Sequence, residues 1–339
     1  MSPRLALGNV VVLGGGRSGE REVSLESSAG IARALRSVAP PLGPSDVVEV
    51  ELQRDGRWLV GGRSLEPARA LLELPSDAVF VLGLHGGEGE DGTLQGFLAS
   101  SRRSFTGSGV GASALCMDKR AARTVVAAAG LRVAPAEFIT RRTWNERGAC
   151  LARLRGLGST WFVKPNDGGS SVATSRVTDP AQLESAVTQA FTSGERVLVE
   201  AEIAGVELSC GVIGASGSEA RALPPIEIRP HDGRFFDYEE KYSAGGAHEI
   251  CPPTSVDETA CRALQSAAVT AFDVLGCEGY ARIDFIVRPS GEAVFLEANT
   301  LPGFTARSLF PQEAAVAGLD YAQVCCELVA FARRRGPTE

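Results

Sequence analysis

The chain is short of residues that bind transition metals. Its 339 residues include only three histidines, and its eight cysteines (Cys116, Cys150, Cys210, Cys251, Cys261, Cys277, Cys325, Cys326) are scattered with no C-x-x-C pair. Most of these cysteines sit in apolar or helical contexts, so they read as reduced core thiols, not as disulfides or zinc ligands. A Lys/Arg block is also missing. With net charge −7 and pI near 5.3, the sequence excludes polyanion binding through a basic surface, and no nucleic-acid partner is expected. No stretch approaches the roughly 20 apolar residues of a membrane span. The N-terminal apolar run, Val10–Leu13, passes straight into glycines and is too short for a signal peptide. The expectation is a soluble cytoplasmic protein with no membrane contact, no internal repeat and no low-complexity tract.

What is present is enough for large cores: 44% of the residues are hydrophobic, and the length suggests two or three domains. The first third alternates strand and helix signals, running from a strand at 9–13 through a helix at about 20–36 and a strand at 46–52. A helix near 66–74 and a strand at 78–84 complete it. That order predicts an open α/β unit with parallel strands over residues 1–116. A second region, 117–213, opens with a helix at 118–130. It continues with an extended segment at 135–140, a helix at 145–156 and strands at 161–164, 172–177, 197–201 and 206–213. A third region, 214–339, takes in residues 222–229, a glycine- and aromatic-rich stretch at 232–248, a long helix at 258–275, a hairpin and two closing helices.

The hairpin carries the clearest chemistry. Ala281–Val287 and Ala293–Thr300 read as strands joined by Arg288-Pro-Ser-Gly-Glu292. Folded back, they bring Asp284 opposite Glu297, and Asn299 shares a face with Glu297. Two carboxylates and an amide oxygen suit a hard cation, and such a cation suits nucleotide phosphates. The alternative is a surface hairpin with solvated acids. The loop Leu301-Pro-Gly-Phe-Thr-Ala-Arg-Ser308 follows, with backbone N–H groups free to meet an anion.

Other segments carry weaker signals. Gly14-Gly-Gly-Arg-Ser-Gly19 fits G-x-G-x-x-G, but the acid that should end the second strand of a dinucleotide site is Glu49 or Glu51, beyond the usual spacing. Glu20 begins a helix, where its carboxylate could meet a substrate ammonium or simply favour the helix dipole. Leu84-His-Gly-Gly-Glu-Gly-Glu-Asp-Gly-Thr93 ends a strand at the edge where open α/β sheets bind ligands, and His85 is either a ligand contact or a structural histidine. Phe162-Val-Lys-Pro-Asn-Asp-Gly-Gly-Ser-Ser-Val172 supplies Lys164, mobile backbone donors and the hydroxyls of Ser170 and Ser171, which is phosphate chemistry without a P-loop. Glu200 and Glu207 lie beside apolar strands and suit an adenine amino group and ribose hydroxyls. Gly233-Arg-Phe-Phe-Asp-Tyr-Glu-Glu-Lys-Tyr-Ser243 reads as a lid, with Lys241 and Tyr242 adjacent.

In this order, the segments resemble the D-alanine–D-alanine ligases, an ATP-grasp family, over nearly the whole chain. The resemblance rests on Gly-Gly-Arg-Ser-x-Glu-Arg-Glu-Val-Ser, His-Gly-x-x-Gly-Glu-Asp-Gly, Met117-Asp-Lys119, Lys-Pro-x-x-x-Gly-Ser-Ser, Phe-Asp-Tyr-Glu-x-Lys-Tyr, Arg-Ile-Asp and Glu-Ala-Asn-Thr-Leu-Pro-Gly. It implies an α/β fold of three-domain ATP-grasp architecture, with an N-terminal open parallel-sheet domain, and a homodimer. It also implies that ATP and Mg²⁺ (or Mn²⁺) are cofactors and D-alanine the substrate. Lys119, Lys164 and Ser171 would contact the phosphates; Glu200, Ile203 and Glu207 would hold adenine and ribose; Asp284, Glu297 and Asn299 would bind the metal. Glu20 would take the first ammonium and join Ser170 and Tyr242 in a closing hydrogen-bonded set, and Lys241 would touch the γ-phosphate. Arg282 and the Gly303 N–H would stabilise an oxyanion. Val23 and His85 would face the substrate, with Ser308 and Leu309 near the second carboxylate.

Three positions depart from the family pattern. Ala173 replaces a usual glycine after the phosphate loop, Ala201 a lysine near adenine, and Arg307 a histidine beside the second-substrate pocket. The last opens a second expectation: a ligase of the same build that accepts a different second substrate. A nucleotide-binding module without turnover is the reading from another class, and the intact Asp284, Glu297, Asn299 and Arg282 oppose it.

Overall fold

A computed structural model describes residues 6–168, 173–215, 220–230 and 247–337. Three sheets build three cores. The first contains β1 (Asn9–Gly15), β2 (Asp46–Leu52), β3 (Trp58–Val60), β4 (Arg63–Leu65), β5 (Val79–Leu82) and β6 (Ser104–Phe105), in the order β4-β3-β2-β1-β5-β6. β1 runs parallel to β2 and β5, and β5 to β6. Val10–Leu13 and Phe80 are at most 1% exposed, as parallel strands covered on both faces must be. The β3–β4 hairpin was not anticipated. Gly61 and Gly62 turn it with φ of +53° and +80°, the left-handed pair that a two-residue hairpin loop needs.

The end of the chain closes this first core. Helix Tyr321–Arg335 buries Val324, Cys325, Leu328, Val329 and Ala332. Its Arg335 donates to the carbonyls of Phe105 (2.6 Å) and Gly107 (2.8 Å), and Arg333 donates to that of Asn9 (3.1 Å). Phe310 and Ala314 of helix Leu309–Val316 join the same cluster. Sequence order grouped both helices with the third region; their apolar faces are instead buried against the first.

Short β7 (Arg132–Val133) belongs to the third sheet. The central sheet contains β8 (Ala136–Thr140), β9 (Trp161–Pro165), β10 (Ser175–Val177) and β11 (Arg196–Ala201), antiparallel in the order β10-β9-β11-β8. Ile139, Trp161, Val163, Val197 and Val199 turn one face into a core with helices Arg147–Gly156 and Leu183–Ala190. By the two-residue period of a strand, Phe162, Lys164, Leu198 and Glu200 lie on the other face.

The third sheet adds β12 (Val206–Gly214), β13 (Arg221–Ala222), β14 (Ile226–Arg229), β15 (His248–Ile250), β16 (Gly279–Val287) and β17 (Ala293–Asn299). Its order is β15-β14-β12-β16-β17-β7, with β13 on β12. Pro224-Pro225, which have no N–H for a ladder, separate β13 from β14. β12 pairs with β16 along its whole length, and helix Lys119–Ala128 buries Ala122 and Val126 in the third core. Both elements were expected with the second region. Helix Glu258–Val274 buries Ala260, Leu264, Ala268, Ala271 and Phe272, one stripe at helical spacing, and the Asp257 carboxylate caps it by accepting from the Ala260 N–H at 2.8 Å. Phe285 and Phe295 meet edge-to-face across β16 and β17 at 6.1 Å. Such a pair contributes about 0.5–1.5 kcal/mol beyond its buried area. Among the described residues, no single helix is long and apolar enough to cross a membrane.

Candidate active site

The β16/β17 ladder sets Asp284 directly against Glu297 and Arg282 against Asn299, the register that strand alternation predicted. Asp284 is 5% exposed. Its carboxylate accepts from the Ser209 hydroxyl at 2.6 Å and from Arg282 through Nε (2.9 Å) and Nη2 (2.8 Å). Burial alone would weaken the charge on Arg282, but Asp284, with Glu297 and Glu313 nearby, raises its pKa and keeps it a cation.

A cavity of about 880 Å³ separates this hairpin from the open face of the central sheet. It gathers Glu20, Lys119, Lys164, Glu200, Ile203, Glu207, Asp284 and Glu297 from among the expected site residues. Lys119 opens its helix with Nζ 3.5 Å from the Glu297 carboxylate and 2.5 Å from the Gly168 carbonyl. That helix start is held from three directions. Asp118 caps it by accepting from the Ala121 N–H at 2.9 Å, and the Asn166 side chain accepts from the Arg120 N–H at 3.0 Å. Arg196 bridges Asp118 (2.7 Å) to Asp167 (3.0 Å).

Glu200, 3% exposed, was expected to meet adenine. Its two carboxylate oxygens are held by Arg123 and Lys164, so it first serves to neutralise and orient Lys164. A carboxylate offers about four lone-pair sites, and a ligand donor can share them.

On the first-sheet side, Ser18, Glu20 and Gly86 line the cavity. Gly86 has φ +68°, and a Cβ there would lie 2.6 Å from Glu20 Oε2, so only glycine lets the carboxylate lie against this loop. His85 is not among the residues that line this cavity. Its Nε2 lies 2.9 Å from the Ser27 hydroxyl and its Nδ1 3.1 Å from the Leu301 carbonyl. Burial pushes the ring's pKa down, so neutral His85 ties the first sheet to the loop after β17. Leu309 is likewise a core residue, packed on Ile226 and Ile228, and Val23 is half-buried away from the cavity lining. Ser308 caps the helix loop, accepting from the Thr305 N–H at 3.1 Å, and Gly303 sits against its hydroxyl. Asn299 lines a small space with Lys119, Glu297 and Glu90. Ser170, Ser171, Lys241 and Tyr242 lie outside the described residues.

Residues 125–330 match the family model for the D-Ala-D-Ala ligase C-terminus. A D-alanine–D-alanine ligase from Leptospira interrogans is 36% identical over 97% of this chain and 99% of its own length. One from Deinococcus radiodurans is 37% identical over 95% and 98%. The chain belongs to the D-alanine–D-alanine ligase family. Among solved structures, the VanG D-Ala:D-Ser ligase of Enterococcus faecalis superposes with TM-score 0.79 at 30% identity, covering 96% of this chain and 99% of that one. The D-alanine–D-alanine ligase of Coxiella burnetii gives 0.77 at 27%, over 96% and 95%. The fold is the ATP-grasp fold of these ligases.

The family is ATP-dependent and usually needs a divalent metal. Among the described residues no cluster of three His, Cys, Asp or Glu could hold one. The hairpin still fits a hard cation, because its third donor is the Asn299 amide oxygen, and Asp284 spends only three of its acceptor sites on Ser209 and Arg282.

Two residues of this family site went unremarked in the sequence. Glu90, the second of three acids in the loop after β5, is 9% exposed, and burial, then the Glu20 charge, push its pKa up to about 8. Arg123 stands one helical turn beyond Lys119, a spacing that puts both on one face of the helix. Of the three departures, Ala173 has φ +55°, a left-handed backbone that costs a non-glycine residue about 1–2 kcal/mol. Ala201 lines the cavity without a charge, and Arg307 is exposed next to Ser308.

Proposed function

We propose that this chain joins two D-alanines into D-alanyl-D-alanine for peptidoglycan precursor synthesis, with ATP converted to ADP and phosphate. The observation that carries it is the Asp284–Glu297 pair facing Lys119 and Lys164 across one cavity, in a member of this family. A free carboxylate is a poor electrophile and must be activated. Lys119 and Lys164 neutralise the phosphate chain of ATP, while Ile203 and Glu207 line its adenosine end. The Glu20 carboxylate receives the ammonium of the first D-alanine, which brings that substrate's carboxylate to the γ-phosphate. Asp284, Glu297 and Asn299 would hold a divalent cation, Mg²⁺ or Mn²⁺, which would supply charge neutralisation there. The carboxylate of the first D-alanine takes the γ-phosphoryl group and ADP leaves. The second amine attacks the resulting acyl phosphate, Arg282 and the Gly303 N–H meet the oxyanion, and inorganic phosphate and a proton depart as the peptide bond forms. ATP supply puts this work in the cytoplasm, and the family pattern favours a homodimer.

ADP release from purified protein, with D-alanine alone and with D-alanine plus D-serine or D-lactate, tests the reading when the product is weighed by mass spectrometry. Dipeptide from D-alanine alone supports it. Turnover only with a mixed pair supports the second reading, a changed second substrate, which exposed Arg307 and the likeness to a D-Ala:D-Ser ligase favour. ATP binding without any turnover would refute both.

A further inference from the structure

Beside Arg123, further along the same open face of the central sheet as the ATP cavity, lies a groove of about 870 Å³ between helix Lys119–Ala128 and edge strand β8. Its floor is apolar: Phe138 and Leu198 are direct neighbours in the β8/β11 register. Its walls carry three guanidiniums. Arg120 lies over the Phe138 ring, 4.2 Å from the centroid. Arg142 is exposed on the short helix Arg141–Trp144. Arg123, 7% exposed, forms the inner wall and reaches Glu200 on the other side. Among the described residues neither the Arg120 nor the Arg142 side chain has a carboxylate partner. The one acid lining the groove, Glu137, is taken by Arg153 at 3.2 Å. No basic block along the sequence announces this cluster; folding assembles it from two helices that flank β8.

We propose that this groove binds a small anion carrying two or more carboxylate or phosphate groups, and that its occupancy weakens ATP binding through Arg123. Guanidinium forks match both kinds of oxyanion, and the apolar floor excludes water from beneath them. The buried Arg123 faces two carboxylate-type partners, Glu200 on the cavity side and the bound anion on the groove side. An anion drawing Arg123 toward the groove leaves Glu200 to pull on Lys164 alone, which disturbs the phosphate contact in the ATP cavity. By linkage, ATP must weaken the anion by the same factor. The coupling rests on the ATP reading above; the groove itself does not.

Calorimetric titration of the full chain with propane-1,2,3-tricarboxylate, and separately with inorganic pyrophosphate, tests this. Each titration is run without nucleotide and then with Mg²⁺ and a non-hydrolysable ATP analogue at saturation. The expected result is one site per chain, weakened but not abolished by the analogue. The Arg120→Ser/Arg142→Ser double variant should lose about tenfold or more in affinity, the size of a charge-assisted contact, while D-alanine turnover stays unchanged. Arg142→Glu alone should act in the same direction. Binding that the analogue abolishes and the double variant leaves intact places the anion in the ATP cavity and overturns the proposal. Absence of binding by wild type to either probe overturns it as well. A groove site indifferent to the analogue overturns the coupling.

Discussion

The two walls of the cavity hold their functional groups by different means. On the third sheet, Arg282, Asp284, Glu297 and Asn299 are carried by neighbouring strands, and the β16/β17 ladder decides where each side chain stands. Lys164 on the central sheet, and Lys119 at the start of a helix packed on the third core, are instead aimed by ion pairs that reach into the central region: Asp118–Arg196–Asp167 behind Lys119, Arg123–Glu200 behind Lys164. A ladder-held group is right or absent. An ion-pair-held group can be loosened by degrees, and a conservative substitution can recover it.

Arg282→Ala should produce the largest effect, lowering kcat for dipeptide formation by about 10²–10³, as loss of an oxyanion donor does. Arg282→Lys should recover little, because the two bonds to Asp284 need the guanidinium fork. Near-complete recovery with lysine would erase the distinction between the two walls.

Next in size is Arg123→Met. It should raise the KM for ATP about tenfold with a smaller change in kcat, since the partner left behind is buried and Lys164 remains. Arg123→Lys should return most of the affinity. An unchanged ATP KM in the methionine variant would show that Glu200 and Lys164 need no support from the helix.

The junction between the walls is tested by Glu90→Gln. A carboxyl raised in the fold to about 8 contributes stability that is fully present below its unfolded value near 4.5 and is lost as pH rises through about 8. Wild type should therefore lose up to a few kcal/mol over that window, and the glutamine variant should show a flatter melting temperature against pH. Parallel curves for the two proteins would mean that Glu90 titrates as an ordinary exposed acid.

The smallest effect belongs to Ala173→Gly. Relief of the φ +55° backbone should stabilise the protein by up to about 1 kcal/mol in a denaturant melt, with no loss of turnover. Destabilisation would mean that the alanine methyl contributes more than its backbone costs.

How much could be read beforehand follows the same division. The hairpin was legible because alternation has a period of two: once Ala281–Val287 and Ala293–Asn299 are strands, Asp284 must share a face with Arg282, and Glu297 with Asn299. The parallel order of β1, β2 and β5 was legible because strand and helix signals alternate through the first third of the chain, although β2, with Asp46, Glu49 and Glu51, carries no continuous apolar run. Arg123 was not, since one more arginine on an amphipathic helix looks like surface. A stronger hint lay in composition: Lys119, Lys164 and Lys241 are the only lysines among 34 basic residues, and all three fall in the expected ATP positions. A compact, rotatable ammonium was kept there while arginine serves elsewhere.

By itself, then, the sequence determined the local periods, the order of the motif-bearing segments and the pairing of Asp284 with Glu297. Tertiary structure decided that the last helix belongs to the first core, that β12 joins the third sheet, that His85 ties the first sheet to the loop after β17, and that Glu200 stands between Arg123 and Lys164. The physical reason is range. Strand alternation and helix caps act over a few neighbouring residues and leave their mark in the sequence between them. Burial of a helix face or pairing of charges 77 residues apart, as in Arg123 and Glu200, depends on distances that only the packed chain sets.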